Sequence, residues 1–413
     1  MDSLTQIVLG AACGEVVLGR KVGNKAILWG AIAGTIPDLD VLARSIFDPL
    51  RANELHRGIT HSLFFSVAMA PLLAYWLKRH AASLLSVFTL LVALTFVQSA
   101  ESWVVRSLLL TITAGIIVLI FRRKRNEDNA TTKQWGWLFF WSLVTHPLLD
   151  LHTTWGTQFL WPLPWKMSYN NIFVVDPLYT VPFMICVGAV MFMRRDSARR
   201  RWVNWLGIGI SSAYMVFTIV CKRIAIGAIA ASLERQHIAH TDFSTRPTPF
   251  NSILWTVNVD AGDHYLLGYH SLLDTKPEVE FVRVDKGLEA LGPWADHEKV
   301  RRLQVLADHN FVVRLQGDTI VFSDLRFGQM GEPGPDKPFV FSYLLIPEAL
   351  DTRPDETTTA SAPPADFSAL ITKKNDPDDA SHALRVELIP PGPPNGEDIG
   401  TLMAELWERV KGE

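Results

Sequence analysis

Residues 56–77 read HRGITHSLFFSVAMAPLLAYWL: two histidines five positions apart, then an uncharged apolar run from Leu63 to Leu77. A run of this kind is typical of a helix in a membrane, where ionisable side chains are costly and usually functional. The stretch therefore predicts a membrane helix with a functional polar group, His56 and His61, at its start.

Two further polar clusters lie at the ends of apolar segments. Asp38 and Asp40 form one cluster, directly after the apolar segment 26–36. His146, Asp150 and His152 form the other, at the end of the segment 135–151. Positions 146 and 150 are four apart, which puts both side chains on one face of a helix. We expect the clusters to converge with the two histidines on one site.

The composition changes along the 413 residues. The first part, 1–230, is apolar with short charged interruptions, and the remainder is polar and proline-rich. This asymmetry predicts a membrane domain followed by a soluble one. A net charge of -3 excludes the basic footprint of a nucleic-acid binder, and the three cysteines have no spacing typical of a disulfide or zinc knuckle. An acidic residue at position 2 argues against a cleavable signal peptide.

Apolar segments in the first domain predict an all-α polytopic membrane domain of about six to eight helices. The candidate segments are 3–19, 26–36, 62–77, 84–100, 103–121, 135–151, 178–193 and 203–221. Lysine and arginine cluster at 78–79, 122–125 and 194–201, and such clusters favour the cytoplasmic side. The three polar clusters and the C-terminal domain then fall on the outer, periplasmic side.

The polar part of the chain predicts three further regions. Alternating and β-branched segments separated by turn residues indicate a smaller soluble α+β or mostly β domain at 231–350. Residues 351–395, rich in Pro, Ala and Asp, predict a linker or disordered segment. A short amphipathic helix is predicted at 396–413.

The three clusters contain the donor atoms that a divalent metal ion requires. Zinc binds His nitrogen and Asp oxygen, and a hydrolytic site keeps a position for water. The predicted metal ligands are Asp38, His56, His61, His146 and Asp150. Asp40 and His152 are predicted as catalytic residues, either secondary ligands or proton carriers. Arg57 is predicted to clamp an anion, and Asp176 is a candidate for a supporting position.

Each of these residues also has a simpler interpretation. Asp38 and Asp40 after a proline are also typical of a helix terminator and cap. Arg57 could pair with Glu54 or a lipid phosphate, and His152 could be a hydrogen-bonded interfacial residue. Asp176 precedes a proline and could cap the next helix. The occurrence of all the clusters on one membrane face favours the metal site.

Four motifs resemble the YdjM family of bacterial inner-membrane, metal-dependent hydrolases. They are MDSLTQ at 1–6, PDLD at 37–40, HRGITHS at 56–62, and residues 145–152 with Trp155-Gly156-Thr157. The resemblance covers about residues 1–230. Through this family, the chain is more distantly similar to zinc-dependent phospholipase C and P1-type nucleases. It implies a metal site, and it implies that Gln6 stands where many relatives have histidine, in a supporting position.

The resulting hypothesis is a multi-pass inner-membrane hydrolase. It would use a divalent metal, zinc in the first instance, and act on a phosphoester or acyl lipid at the periplasmic face, with membrane lipid as its partner and no nucleic acid. One alternative is a membrane protein that binds or transports an ion without chemistry. Another is a scaffold that acts through its soluble C-terminal domain.

Overall fold

A computed structural model describes residues 1–123, 128–317, 319–329, 331–347, 384–389 and 399–412. The chain divides into two compact units. The helical unit comprises Met1–Ala230, Thr245–Trp255 and Ser271–Leu273, and the sheet unit comprises Ala231–Ser244, Thr256–His270 and Asp274–Glu413. A helical N-terminal region followed by a C-terminal region of antiparallel sheets confirms the predicted order of fold classes.

Nine helices precede the first strand in the described parts of the chain. They are α1 (Ser3–Gly14), α2 (Arg20–Val22), α3 (Asn24–Thr35), α4 (Pro49–Leu55), α5 (Leu63–Ser99), α6 (Trp103–Arg122), α7 (Thr132–Asp150), α8 (Pro177–Met191) and α9 (Ala198–Arg235). A π-helical turn, Glu15–Gly19, joins α1 to α2. Two 3-10 segments, Pro37–Ser45 and Ile59–His61, separate α3 from α5 and carry the predicted polar clusters.

Helices α1 and α3 approach closely along glycines. Gly10 and Gly14 on α1 and Gly30 and Gly34 on α3 face one another at a spacing of four residues. A Cβ at Gly10 would overlap the Gly30 carbonyl, and one at Gly34 would overlap the backbone of Gln6. Small residues at this spacing let two helix backbones touch.

Helix α5 reverses direction at His80. The backbone there is non-helical, with φ -137° and ψ 51°. Leu73 and Leu91 nevertheless line the same cavity. Eighteen residues along a straight helix span about 27 Å, so the two halves must fold back on each other. The halves correspond to the separate helices predicted at 62–77 and 84–100.

Three of the described helices are long and apolar enough to cross a membrane: Leu63–Ser99, Trp103–Arg122 and Ala198–Arg235. A fourth candidate is the pair Asn24–Thr35 and Pro37–Ser45, which is bent by 45°. The predicted count of six to eight is therefore not confirmed. Helix α8 has only 15 residues, and α7 ends in polar side chains, so neither meets the requirement for a long apolar span.

The sheet unit is built on two four-stranded sheets. One has the order β1 (Asp242–Pro247), β2 (Leu254–Asp260), β3 (His264–Ser271), β4 (Phe281–Asp285). The other has the order β5 (Phe311–Gln316), β6 (Thr319–Gln329), β7 (Phe339–Pro347), β8 (Leu384–Ile389), and its strands pair antiparallel. Tyr265 and Val284 from the first sheet share one core with Val312 and Phe339 from the second. Helices α10 (Glu298–Leu306) and α11 (Ile399–Val410) complete the unit.

Strand β8 corrects one prediction. It lies within 351–395, which was assigned to a linker, and its six residues pair with β7 instead. The alternating burial of β8 reflects a strand at a sheet edge, a pattern that the proline-rich surroundings masked. The rest of that predicted linker, and Lys124 and Arg125 of a predicted cytoplasmic cluster, lie outside the described residues.

Candidate metal centre

Three segments of the helical unit bring four metal-ligating side chains together. The 3-10 segment after α3 carries Asp38, the turn before α5 carries His61, and the end of α7 carries His146 and Asp150. One potential ligand atom from each residue lies within 4.8 Å of the other three. His61, His146 and Asp150 are fully buried, and the side chain of Asp38 is 18% exposed. We call these four residues the metal group.

The spacing of the four atoms suits a small cation. The Nε2 atoms of His61 and His146 lie 3.1 Å apart. Asp38 Oδ1 is 3.4 and 3.3 Å from these two nitrogens, and Asp150 Oδ2 is 3.4 and 3.5 Å from them. These five distances are close to the separation of two ligand atoms that each lie about 2 Å from one zinc ion.

Hydrogen bonding determines which ring nitrogen of His146 carries a proton. Its Nδ1 is 2.6 Å from the Gly34 carbonyl, which can only accept a hydrogen bond. In the neutral ring, Nε2 therefore presents a lone pair, and it faces Nε2 of His61. The Nδ1 of His61 lies 3.1 Å from the Thr60 hydroxyl and 3.4 Å from Asp40. When Nδ1 of His61 donates to Asp40 or Thr60, both Nε2 atoms present lone pairs, and a cation between them would bind both.

The buried polar atoms around the group are incompletely hydrogen-bonded. Asp150 Oδ2 and Gln6 Oε1 have no hydrogen-bond partner in the described residues. The other oxygen of Asp150 accepts from the Gln6 amide at 3.0 Å and from the Met1 amino group. A buried carboxylate oxygen without a hydrogen bond is costly unless cations lie beside it; the Arg57 guanidinium at 3.2 Å is one such charge, and a metal ion would add another. The residues present therefore fit a divalent metal ion.

Arg57 connects the metal group to Asp40, the second acidic residue of the 3-10 segment that carries Asp38. Its Nε lies 3.2 Å from Asp150 Oδ2, and its Nη1 donates to Thr153 at 2.7 Å. Its backbone N–H donates to Asp40 at 2.8 Å. Arg57 has a left-handed backbone with φ 58°, a conformation that costs a non-glycine residue roughly 1–3 kcal/mol and is common at functional sites. The guanidinium therefore orients Asp150.

Asp40 and His56 form a pair beside the metal group. Asp40 Oδ1 lies 2.9 Å from His56 Nδ1, and Thr60 donates to its other oxygen at 3.3 Å. The His56 ring packs edge-on against Trp155 at a centroid distance of 5.4 Å. Burial lowers the pKa of His56, and the contact with Asp40 opposes that effect. The His56 side chain is 21% exposed.

Comparison with known proteins assigns the first half of the chain to a family. The sequence model of the YdjM inner membrane protein family matches residues 1–225. The chain belongs to this family. No curated protein and no solved structure matches it. The more distant similarity to phospholipase C and P1-type nucleases therefore has no support.

The segment matched by the YdjM family contains the whole metal group, and four of the five predicted ligands belong to it. His56 is the exception. Its Nδ1 contacts Asp40, and it lies outside the four-residue group. Both rings contact Asp40, but only that of His61, which ends the turn Ile59–His61, also reaches Asp38 and Asp150. Gln6, predicted in a supporting position, donates to Asp150 and to the His146 carbonyl.

Two other predicted residues of the YdjM-family segment do not join the group. His152 Nδ1 lies 2.8 Å from the Asn171 amide oxygen, because α7 ends at Asp150 and the following turn redirects the side chain. Asp176 caps α8 by accepting from the backbone of Leu178 and Tyr179, and it accepts from Tyr214 at 3.0 Å. Burial raises the pKa of Asp176, and those hydrogen bonds oppose the rise. The contacts of Asp176 are therefore those of a helix cap, which was the simpler interpretation of this residue.

Sequence reasoning missed the groups that orient the ligands. The Gly34 carbonyl holds His146, the Thr60 hydroxyl contacts His61, and Thr153 holds Arg57. Thr60 lies inside the quoted motif and was available as a signal. A backbone carbonyl carries no sequence signal, although the glycine spacing of α3 indicated that its backbone approaches a neighbour.

Proposed function

We propose that the chain is an inner-membrane, metal-dependent hydrolase that acts on a phosphoester or acyl lipid. The observation that carries the proposal is the contact between two histidine nitrogens, each within 3.5 Å of two buried or half-buried carboxylates. Membership of the YdjM inner membrane protein family agrees with the membrane setting. A divalent cation bound there would supply a Lewis acid and a water molecule of lowered pKa.

The residues would divide the work as follows. Asp38, His61, His146 and Asp150 would hold the metal, for which zinc is the first choice because two nitrogens and two oxygens suit it. Arg57 and Gln6 would orient Asp150, and Arg57 would also favour an anionic substrate. His56, oriented by Asp40 through its Nδ1, would accept or return a proton at Nε2.

A multi-pass arrangement of six to eight helices would place this site at the periplasmic surface. The basic residues supply the support. Lys78 and Arg79 lie at the reversal of α5, and the cluster at 194–201 begins α9. Lysine- and arginine-rich ends favour the cytoplasmic side. The polar clusters lie at the opposite ends of these segments, and the sheet unit would follow α9 into the periplasm.

A lipid substrate is favoured by the exposed apolar side chains on the site-bearing segments. Ile46 is 77% exposed directly after the segment that carries Asp38, and Phe47 is 44% exposed. Ile59, beside His61, is 41% exposed, and Phe64 is 57% exposed. A polar site with an apolar rim suits an amphiphile at a membrane surface.

The test compares two histidines near the end of the same helix. His146→Ala removes a member of the metal group, whereas His152→Ala removes a ring that contacts Asn171 and Tyr169 instead. Purified full-length protein would be reconstituted in lipid nanodiscs with zinc. We expect wild type and His152→Ala to hold stoichiometric metal and to hydrolyse lipid. His146→Ala should lose the metal and about 10²-fold or more of the activity.

Metal bound by wild type without hydrolysis of any phospholipid or acyl ester would favour the second candidate, an ion-binding or transport protein. One observation favours that candidate: four side chains offer ligand atoms to one position, and closed four-ligand sites are typical of structural metals. Absence of metal from folded, zinc-replete wild type would contradict both functions.

A further inference from the structure

An apolar cavity of about 150 Å³ lies in the helical unit. Its walls come from α3, from the 3-10 segment Pro37–Ser45, from both halves of α5 and from α7. Every lining residue is apolar, including Trp29, Leu73, Leu91 and Phe139. A cavity of this size without polar partners does not hold ordered water and binds hydrocarbon, as engineered cavities of similar volume do.

The cavity adjoins the metal group through a short stretch of chain. Leu39 lines the cavity and stands between Asp38, a member of the metal group, and Asp40, which holds His56. Ile36, two residues before Asp38, also lines it. One segment therefore presents carboxylates to the site and aliphatic side chains to the cavity.

This arrangement suits one kind of ligand. A molecule that used both places would need a hydrocarbon portion for the cavity and an anionic portion for the metal group and Arg57, only a few residues away. A membrane phospholipid has both portions in one molecule. The cavity volume accommodates roughly six carbon atoms, as for a benzene-sized ligand, so it would hold a segment of a chain and not its whole length.

We propose that the cavity binds an acyl-chain segment of a membrane phospholipid. The assignment of that lipid as substrate rests on the proposed function, whereas the binding of the chain depends only on the cavity. The reversal of α5 at His80 forms the site, because it brings Leu73 and Leu91 to the same apolar space. Neither half of α5 could enclose a chain alone.

Two matched pairs of neighbouring leucines test the proposal. Leu73 lines the cavity and is 5% exposed, whereas Leu72 on the same helix is 60% exposed. Leu91 lines the cavity, whereas Leu90 is 41% exposed. Leu73→Trp and Leu91→Trp would occupy the cavity, and Leu72→Trp and Leu90→Trp would add the same ring to an exposed face. Two independent filling variants protect the test if one of them does not fold.

The probe is phosphatidylglycerol with a diazirine in one acyl chain, incorporated into nanodiscs with full-length protein. After irradiation, mass spectrometry locates the adducts. We expect adducts on the cavity-lining parts of α5. The filling variants should lose about tenfold of this labelling, the equivalent of roughly two buried methylene groups. The exposed-face variants should label as wild type does. Labelling that is equal in filled and exposed-face variants, or absent from the cavity, would overturn the proposal.

The same experiment on His146→Ala separates this inference from the proposed function. Cavity labelling that is sensitive to Leu73→Trp and persists in His146→Ala would support the chain-binding site even if no hydrolysis were ever observed. Lipid hydrolysis by a folded Leu91→Trp protein at the wild-type rate, with cavity labelling unchanged, would overturn the inference and leave the hydrolase proposal intact.

Discussion

Two buried polar clusters of the helical unit differ in how well their atoms are paired. In one, Arg200 binds both oxygens of Glu15 at 2.7 Å, and it also donates to Asn24 and to the Met193 carbonyl. Both charged side chains are only 2% exposed. In the metal group, carboxylates contact histidines at 3.3–3.5 Å, and Asp150 Oδ2 has no hydrogen-bond donor among the described residues.

The difference separates a structural cluster from a binding site. A buried ion pair that satisfies its own atoms gains nothing from a ligand, and its contribution is to join the chain segments that carry it. The Glu15–Arg200 pair joins the π-helical turn after α1 to the start of α9. The metal group, in contrast, combines carboxylates and histidine lone pairs with few hydrogen-bond donors, and a cation stabilises such a group. Its members are arranged for a ligand at the expense of stability.

The largest effect is expected from breaking the satisfied cluster. Arg200→Ala would leave the Glu15 carboxylate buried and unpaired, and removal of one partner of such a pair typically costs about 3–5 kcal/mol. Thermal unfolding of detergent-purified protein would measure the loss. The double variant Glu15→Leu/Arg200→Leu should recover much of it, because no buried charge remains. Equal losses in the single and double variants would contradict the role assigned to the pair.

At the metal group, the effect of a ligand substitution on the free energy of unfolding should depend on whether zinc is present. With zinc at about 100 times its dissociation constant, wild type should gain about 2.7 kcal/mol of stability. Asp38→Asn should gain little from zinc. In chelator, its difference from wild type should be smaller, because only the contacts of Asp38 with His61 and His146 are then changed.

Asp176→Asn is the matched control for that experiment. Asp176 is a buried carboxyl outside the metal group, and asparagine also caps helices well. The control should keep the full zinc response in unfolding experiments. A zinc response in Asp38→Asn equal to that of wild type would show that the metal group had been wrongly assigned.

A smaller loss is expected at the glycine contact that supports the metal group. Gly30→Ala would press a methyl group against the Gly10 backbone, at a cost of about 1–3 kcal/mol. It should also weaken zinc binding, because α3 supplies the Gly34 carbonyl that holds His146. Gly115→Ala on α6 meets no atom within 4 Å and should be neutral or stabilising. Unfolding and zinc titration of both variants test the contrast.

The smallest effect is expected at a half-exposed ion pair. Lys78 Nζ lies 3.7 Å from Asp128, and the two side chains are 32% and 20% exposed. Pairs of this kind contribute at most about 1 kcal/mol. Lys78→Ala should therefore shift the unfolding temperature far less than Arg200→Ala does. A comparable shift would mean that burial and pairing do not determine how much each ion pair contributes to stability.

Much of the candidate site could be predicted from spacing at the ends of apolar segments. Asp38, His61, His146 and Asp150 were all expected to meet, and they do. The spacing of His146 and Asp150 is reliable because both lie on one regular helix. His56 and His152 lie in irregular turns, where side-chain direction does not follow from position. Their contacts with Asp40 and Asn171 could not be predicted for that reason.

The sequence by itself determined the division into a helical and a sheet unit, the membership of the YdjM family and the residue types at each helix end. The division follows from composition and periodicity, which act locally, and the family membership follows from the motifs and the match over residues 1–225. The tertiary structure alone decided which histidine joins the metal group and that α5 reverses at His80 to enclose an apolar cavity. Both depend on the packing of segments distant in sequence, and no local pattern records where the backbone of one helix meets the side chains of another.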